Sequence, residues 1–314
     1  MSAPATPGPS GSVAWDSTPT RRALPGALTT LALLALVPAV VSTALRLIGP
    51  TDDAWALVAS FIPYGQLGYP VALVLLLAAQ VGARRRGPLR LLALAVAGLI
   101  ALHLTWLVPF FVPDERPVVG PELTLLSQNV YNGEVDVAQL TAAAVDVDLV
   151  VLNETTPAFL AQLQTPGWNE EFPYALGDEA SAPADTTVFS RYPLSQSTAS
   201  GHHDFEQWVT TVAVPGRTPV RLIAAHPCNP YCGGGLFASD HAPLVRLRAD
   251  GLRSTTDLVG AGFVPTWPAN RSFPPLFAID HVLVDDQLTA TSLRTVHLAG
   301  TDHLGLVVTL AGTR

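Results

Sequence analysis

Three long apolar stretches occupy the first third of the chain, and they constrain the fold more than any other feature. They cover residues 27–48, 55–81 and 91–111. A helix needs about 20 apolar residues to cross a bilayer core, and each stretch is long enough. Pro63, Gly65 and Gln66 lie inside the second stretch, which favours a kinked helix packed on its neighbours. The sequence predicts three transmembrane helices within residues 21–112, after a disordered tail over residues 1–20.

Arginines beside these stretches predict the orientation in the membrane. Arg21 and Arg22 precede the first stretch, and four more arginines lie within residues 84–90. Cytoplasmic loops are enriched in basic residues, so both groups are expected inside the cell. The protein is therefore predicted to be a multi-pass protein of the cell membrane, with a cytoplasmic N-terminus and an extracellular C-terminal domain. Arg46 does not fit this pattern and could snorkel. A cleaved signal peptide fits poorly, because the first apolar core is too long and two further spans follow.

The second part of the chain is acidic. From Asp114 onward it holds 10 arginines and 22 acidic residues, a formal charge of −12. Proteins that bind nucleic acid polymers usually present a basic surface that neutralises phosphates. Polymeric nucleic acid is therefore a less favoured partner, and a phosphate ester would need a bound cation to supply positive charge.

The chain has two cysteines, Cys228 and Cys232, in one short loop. They could close a small disulfide in an oxidising compartment, and this is the favoured interpretation. The alternative is half of a zinc site, which lacks a second cysteine pair.

Short apolar runs separated by turn residues follow residue 122. Strands are predicted over residues 123–130, 148–152, 186–190, 209–214, 220–225, 277–284 and 304–310, and a helix over 135–145. Many strands with interspersed helices indicate a mixed α/β domain with a sheet core, here over residues 113–314.

Polar side chains stand at the ends of these strands or within the loops beside them. They are Asn129, Glu154, His226, Asp280, Asp302 and His303. Taken singly, each has a simpler explanation, such as a turn cap for Asn129 or a solvated strand end for Glu154. Asp280 is harder to dismiss, because a carboxylate in an apolar run is costly unless paired, and a histidine is a suitable partner. Because residues at strand ends meet in one cleft, the set predicts a site for a hard cation and a phosphate.

The order of these motifs resembles that of the endonuclease/exonuclease/phosphatase superfamily, in particular its bacterial membrane-anchored members. The matching segments are LLSQNV at 125–130, DLVVLNE at 148–154, VFSRYPL at 188–194, AAHP at 224–227, PTWPA at 265–269, IDHVLV at 279–284 and TDHL at 301–304. They cover nearly all of residues 122–310. The resemblance implies a four-layer sandwich, with two sheets face to face and helices outside.

The resemblance also implies a role for each polar residue. Glu154 would be the chief ligand of Mg²⁺ (or Mn²⁺), with Asn129 beside it and Asp302 contributing. His303 would contact the scissile phosphate or activate water, oriented by Asp280. His226 would stabilise the phosphoryl oxygens or assist the leaving group.

One segment of the family pattern is absent from this sequence. The family has a strand that ends in Gly-Asp-Phe-Asn after the histidine strand, and its Asp and Asn position the attacking water and the phosphate. The nearest match here is Ser239-Asp240-His241-Ala242, which lacks the Asn. Asp240 is better interpreted as a helix cap before residues 244–248. Loss of this strand would leave its neighbours with unpaired ladder groups.

Two functions follow as expectations. The first is a membrane-anchored extracellular Mg²⁺-dependent phosphoesterase, acting on a small or lipid-linked phosphodiester or phosphomonoester, with a nuclease-like role left open. The second is a catalytically impaired or inactive relative that acts as a surface binding protein. Glu154, Asp302 and His303 favour the first, and the absent Asp-x-Asn favours the second.

Other features have simpler explanations. His202-His203-Asp204 could bind a second metal, but an exposed loop is favoured, and the glycines at 233–235 are interpreted as a flexible loop. Trp267 is expected to pack under the site rather than to stack on a substrate. His103 in the third apolar stretch is interpreted as a helix-packing or interfacial histidine.

Overall fold

The computed structural model describes residues 18–49, 53–83, 86–177, 185–199, 207–227 and 242–314. The predictions for the tail before residue 18, His202-His203-Asp204, the two cysteines, the glycines at 233–235 and Asp240 lie outside these ranges. The chain divides into two compact units, one of Met1–Val40 and Leu67–Leu102, the other of Val41–Gln66 and His103–Arg314. The domain boundaries predicted at residues 21 and 113 follow the apolar pattern and stay predictions.

Helices fill most of residues 18–111. They are α1 Thr18–Ile48, α2 Asp53–Ala59, α3 Ile62–Gly65, α4 Gly68–Gly82 and α5 Arg86–Phe111. In the part of the chain that the structure describes, three helical stretches are long and apolar enough to cross a membrane, namely Ala23–Ile48, Ile62–Val81 and Arg86–Phe111. The second apolar stretch is divided among α2, α3 and α4, because Pro63 lacks an N–H group and Gly65 favours a break in the helix. The division lies where the kink was predicted.

Small residues dominate the core of the first unit. Its buried members are Ala32, Ala39, Tyr69, Ala72, Leu76, Ala93 and Val96. Gly68 lies so close to the carbonyl oxygen of Ala35 that a Cβ atom there would overlap it. Small residues let helix backbones approach one another where the surroundings are as apolar as the helices.

His103, in the second unit, packs between helices as expected. Its Nε2 lies 2.8 Å from Oγ1 of Thr43 on α1, and its ring contacts that of Trp106, with 4.7 Å between the centroids.

A six-stranded sheet forms the centre of the second unit. Its strands are β1 Val118–Asn129, β2 Leu149–Thr155, β3 Tyr174–Leu176, β4 Asp185–Ser190, β10 Leu288–Val296 and β11 Gly305–Thr313, in the order β10-β11-β1-β2-β4-β3. β1 and β2 are parallel and are connected through α6 Val137–Ala143, whose first turn is capped by the Asp136 side chain. The parallel pairing brings the ends of β1 and β2, with Asn129 and Glu154, to the same edge of the sheet.

A second sheet faces the first. Its strands are β5 Leu194–Ala199, β6 Trp208–Val212 and β7 Val220–Ala224. The core between the sheets holds Leu123, Leu125, Leu149, Val151 and Val188 from the first sheet and Val212, Val214 and Ala224 from the second sheet and its flank. On the other face of the large sheet, α6, α7 Pro157–Leu163 and α8 Pro166–Glu171 bury Leu140, Phe159, Leu160, Leu163 and Trp168. The predicted mixed α/β domain with facing sheets and outer helices is confirmed.

After β7, the next described elements are two helices, α9 Ala242–Ala249 and α10 Thr255–Leu258. Among the described strands, β7 is an edge strand, and its Ile223 is 66% exposed. A short pair, β8 Arg253–Ser254 with β9 Leu283–Val284, follows.

One strand prediction was wrong, and β3, β5, β8 and β10 were not predicted. Residues 277–284 form a strand only at β9, because Thr266 and Trp267 hold the preceding segment through local contacts rather than through a long ladder. β10 was not predicted, because its alternation is weak and it contains three threonines and a serine in nine residues.

Candidate active site

Asn129 ends β1 and is buried, with 3% of its surface exposed. Its Nδ2 donates to Oε1 of Glu154 over 2.8 Å, and its Oδ1 accepts from the backbone N–H of Tyr131 over 2.9 Å. The side chain therefore connects the end of β1 to the carboxylate at the end of β2.

Glu154 lies at an irregularity of β2. The register with β4 shifts between Leu152 and Thr155, and Glu154 itself has a φ of 64°. This left-handed conformation is unusual for a residue other than glycine and often marks a functional position. It turns the carboxylate toward Asn129 and toward the backbone N–H of Asn132, which donates to Oε2 over 3.1 Å.

The loop after β1 is shaped to present that N–H group. Tyr131, Asn132 and Gly133 all have positive φ, at 49°, 53° and 76°. A Cβ atom on Gly133 would lie 2.5 Å from Cβ of Phe159, so only glycine fits there. Three left-handed residues in succession cost free energy. This loop conformation directs the backbone N–H of Asn132 toward the Glu154 carboxylate.

His226 follows β7 and lies beside Glu154. Its Nε2 is 3.6 Å from Oε1 of Glu154, and the two side chains are 17% and 19% exposed. Its carbonyl oxygen accepts from the side chain of Gln207. The second sheet thus contributes an imidazole to the same edge as Asn129 and Glu154.

Asp280 and His303 form a buried pair. His303 Nδ1 lies 2.8 Å from Oδ2 of Asp280, and each side chain is 12% exposed. Burial raises the pKa of Asp280, but attraction by His303 and hydrogen bonds from His303 and Thr266 outweigh it, and the net pKa is lowered. Burial lowers the pKa of His303, but the nearby Asp280, Asp302 and Glu154 raise it overall. An imidazole held through Nδ1 by a carboxylate is oriented to take up or release a proton at Nε2.

Asp302 has one satisfied and one unsatisfied oxygen. Its Oδ2 accepts from Nε1 of Trp267 over 2.8 Å. Its Oδ1 is buried and has no hydrogen-bond partner among the residues that the structure describes, with Nε2 of His303 3.8 Å away. An unpaired buried carboxylate oxygen is costly, and a bound cation would compensate it.

The donor atoms fit a hard divalent cation. Glu154 and Asp302 supply carboxylate oxygens, the ligands that Mg²⁺ and Mn²⁺ prefer. In the described ranges, no three His, Cys, Asp or Glu side chains converge as a metal-binding group. Mg²⁺ commonly binds through one or two carboxylates and completes its shell with water and substrate phosphate. Two carboxylates, one with an unpaired oxygen, are consistent with that mode.

The structure brings the residues predicted from the sequence into two contacting groups. Asn129, Glu154 and His226 form one, and Asp280, Asp302 and His303 form the other. Oγ1 of Thr301 donates to the carbonyl oxygen of Asn129 over 2.7 Å and thereby joins the two. The individual roles stay predictions.

Sequence reasoning missed three contributors, namely Asn132, Thr266 and Thr301. Asn132 acts through its backbone, and the Asn132-Gly133 dipeptide, a common turn signal, could have marked the loop. Thr266 and Thr301 lie inside the matching segments PTWPA and TDHL, but roles were predicted only for the charged and aromatic residues of those segments. Trp267 packs under the site as expected, with its ring 5.9 Å from that of Phe277.

No family model matches the chain, and no curated protein matches it. Solved structures do match. An endonuclease/exonuclease/phosphatase from Beutenbergia cavernae is 16% identical, with 63% of this chain and 72% of that one covered, at a TM-score of 0.45. Humanized D. rerio TDP2 is 14% identical, with 60% and 98% covered, at 0.47. The mannosyl-6-phosphatase Bt3783 of Bacteroides thetaiotaomicron is 12% identical, with 60% and 99% covered, at 0.40.

The chain is similar to solved endonuclease/exonuclease/phosphatase structures. The likeness concerns the fold, and the chemistry rests on the side chains of the site itself.

Proposed function

We propose that this protein is a membrane-anchored hydrolase of phosphate esters that depends on Mg²⁺ or Mn²⁺. One observation carries the proposal. The buried Oδ1 of Asp302, which has no hydrogen-bond partner in the described chain, lies next to the Asp280–His303 pair. Hydrogen bonds through Asn129 and Thr301 connect Glu154 to the same pair. A cation site beside an oriented imidazole is the arrangement that metal-assisted hydrolysis requires.

In this proposal each side chain of the site has a separate role. Glu154 and Asp302 hold the cation, which when bound polarises a phosphoryl oxygen and neutralises developing charge. Asp280 holds His303 through Nδ1, so that Nε2 can accept a proton from the attacking water. His226, on the other side of Glu154, is placed to donate a hydrogen bond to a phosphoryl oxygen or to the leaving group. Asn129 and Asn132 fix the Glu154 carboxylate.

The substrate is proposed to be a small or lipid-linked phosphate ester outside the cell. The domain's charge of −12 disfavours a nucleic acid polymer, and the apolar helices would keep the site near a membrane. The arginines at residues 21–22 and 84–90 support the extracellular placement. Fusion of alkaline phosphatase after Arg314 tests it, since the fusion is active only if the C-terminus lies outside.

The alternative is a catalytically impaired surface binding protein. It is favoured by the absence of Gly-Asp-Phe-Asn from the sequence, because the two missing side chains position water and phosphate in the family that the motifs resemble. In that case the cation site would bind a phosphate-bearing ligand without turning it over.

Hydrolysis of bis(p-nitrophenyl) phosphate and p-nitrophenyl phosphate by the full-length protein in lipid nanodiscs decides between the two. The hydrolase predicts turnover with Mg²⁺ or Mn²⁺ that is lost with chelator and in Glu154→Gln. Glu170→Gln, an exposed carboxylate on α8, is the matched control and should keep full activity. No turnover by folded protein that still binds Mn²⁺ would support the binding protein instead.

A further inference from the structure

The segment that carries Trp267 contacts both acidic residues of the second group, Asp302 through its side chain and backbone and Asp280 through its backbone. Nε1 of Trp267 donates to Asp302, and the backbone N–H of Ala269 donates to the Asp302 carbonyl oxygen over 2.6 Å. Thr266, the residue before Trp267, accepts a hydrogen bond at Oγ1 from the backbone N–H of Asp280 over 3.3 Å. The position of residues 266–269 therefore sets where Asp280 and Asp302 lie.

This segment rests on residues 276–277. The backbones of Trp267 and Phe277 exchange hydrogen bonds of 3.0 and 2.8 Å, and Leu276 donates to the Trp267 carbonyl oxygen over 2.9 Å. The two aromatic rings pack at a tilt. Any side chain that fixes residues 276–277 thus also fixes the segment under Asp302.

Two aromatic residues from far earlier in the chain do this. The ring of Phe61 packs edge-on against Phe277, with 5.1 Å between centroids. The hydroxyl of Tyr64 donates to the Leu276 carbonyl oxygen over 2.5 Å, and its ring lies 6.1 Å from that of Phe263. Aromatic rings with a polar tip are suited to such a position, because they pack and donate at once.

Phe61 and Tyr64 lie at the start of the second helical stretch that could cross a membrane, Ile62–Val81. The end of the third stretch contacts a nearby part of the same chain, since the N–H of Gly262 donates to the Phe110 carbonyl oxygen over 2.6 Å. All these residues belong to the second compact unit.

We propose that Phe61 and Tyr64 are positioning residues for the cation site. Phe61 and Tyr64 contact residues 276–277, and the backbone of those residues is hydrogen-bonded to Trp267. Trp267 in turn donates to Oδ2 of Asp302, which leaves Oδ1 for the cation. The membrane segment is thus part of the site's support as well as an anchor. The inference rests on the proposed function in taking Asp302 as a cation ligand.

The test uses the full-length protein in nanodiscs and the variants Tyr64→Phe and Phe61→Leu. Tyr174→Phe, which removes a hydroxyl from an exposed tyrosine on β3, and Leu57→Ala, an exposed residue of α2, are matched controls. The first readout is hydrogen–deuterium exchange without cation. The second is Mn²⁺ affinity, measured as the free Mn²⁺ signal in electron paramagnetic resonance.

We expect faster exchange at residues 266–269 and 276–277 in both variants and in neither control. Mn²⁺ affinity should fall about tenfold, in the range typical for loss of an outer support of a metal ligand, with the melting temperature nearly unchanged. Unchanged exchange in folded variants would overturn the positioning role, whatever the protein's activity. Altered exchange with unchanged Mn²⁺ affinity would overturn the link to Asp302. Wild-type protein that does not bind Mn²⁺ through Glu154 would instead contradict the proposed function.

Discussion

Glu154 and Asp302 are carboxylates of one proposed cation site, but they are held in different ways. Both oxygens of Glu154 accept hydrogen bonds, from Asn129 and Asn132. Asp302 has one oxygen held by Trp267 and one without a hydrogen-bond partner in the described chain, 3.8 Å from Nε2 of His303. The position of the Glu154 carboxylate depends on the backbone conformation of Glu154 and of the loop after β1. The position of the Asp302 carboxylate depends on Trp267, which is distant in sequence. The comparison teaches that one site can combine a locally fixed ligand with one that depends on remote packing.

The largest expected effect on activity comes from replacing either proposed cation ligand. Glu154→Gln and Asp302→Asn should each lower kcat/KM about 10³-fold, and the double variant should lose little more, because groups that act as a unit are strongly non-additive. Glu170→Gln and Asp286→Asn, both exposed, are the controls. Additive losses in steady-state kinetics would mean that the two residues do not share a cation.

Asp280→Asn should lower kcat about 10²-fold and leave KM nearly unchanged. The substitution keeps the shape of the side chain but removes the charge that orients His303. Steady-state kinetics at saturating Mn²⁺ measures this. An equal fall in Mn²⁺ affinity would show that Asp280 acts on the cation site rather than on the imidazole.

Gly133→Ala tests the local support of Glu154. The new Cβ would overlap Phe159 at a positive φ, so we expect a loss of about 2 kcal/mol in the free energy of unfolding. Gly167→Ala, on α8 with open space around it, is the matched control and should be neutral or slightly stabilising. Urea denaturation in micelles compares them, and equal stabilities would refute the strained loop.

The smallest effect distinguishes the two carboxylates in the absence of cation. Asp302→Asn should raise the free energy of unfolding by about 1 kcal/mol. It replaces a buried carboxylate, one oxygen of which has no hydrogen-bond partner in the described chain, with a neutral amide that is less costly to bury. Glu154→Gln should lower it by about the same amount, because it breaks hydrogen bonds to an ionised acceptor. Thermal unfolding in chelator provides the sign of each change. The same sign for both would remove the proposed difference.

The sequence predicted those parts of the fold that depend on local pattern. β1, β2 and β4 were recognised from continuous apolar runs, and the long apolar helices from their length and hydropathy. The segment 277–284 was predicted as a strand because it is apolar, but its conformation depends on Thr266 and Trp267. β10 was missed because its side chains alternate only weakly between buried and exposed positions.

The candidate site divides in the same way. The positions at strand ends predicted that the polar residues meet in one cleft, and the structure brings them into two contacting groups, Asn129, Glu154 and His226 in one and Asp280, Asp302 and His303 in the other. The sequence could not identify the N–H of Asn132, whose direction depends on three left-handed residues. Nor could it identify Phe61 and Tyr64, because more than 200 residues separate Tyr64 from Leu276, and no local pattern records that contact.

The most direct test of the central claim is the position of a bound cation. Crystals of the full-length protein grown with Mn²⁺ should give an anomalous peak bonded to Glu154 and to Oδ1 of Asp302, beside Nε2 of His303. The peak should be absent in Asp302→Asn. A fully occupied Mn²⁺ elsewhere in the domain, or no peak between these carboxylates at saturating Mn²⁺, would contradict the account.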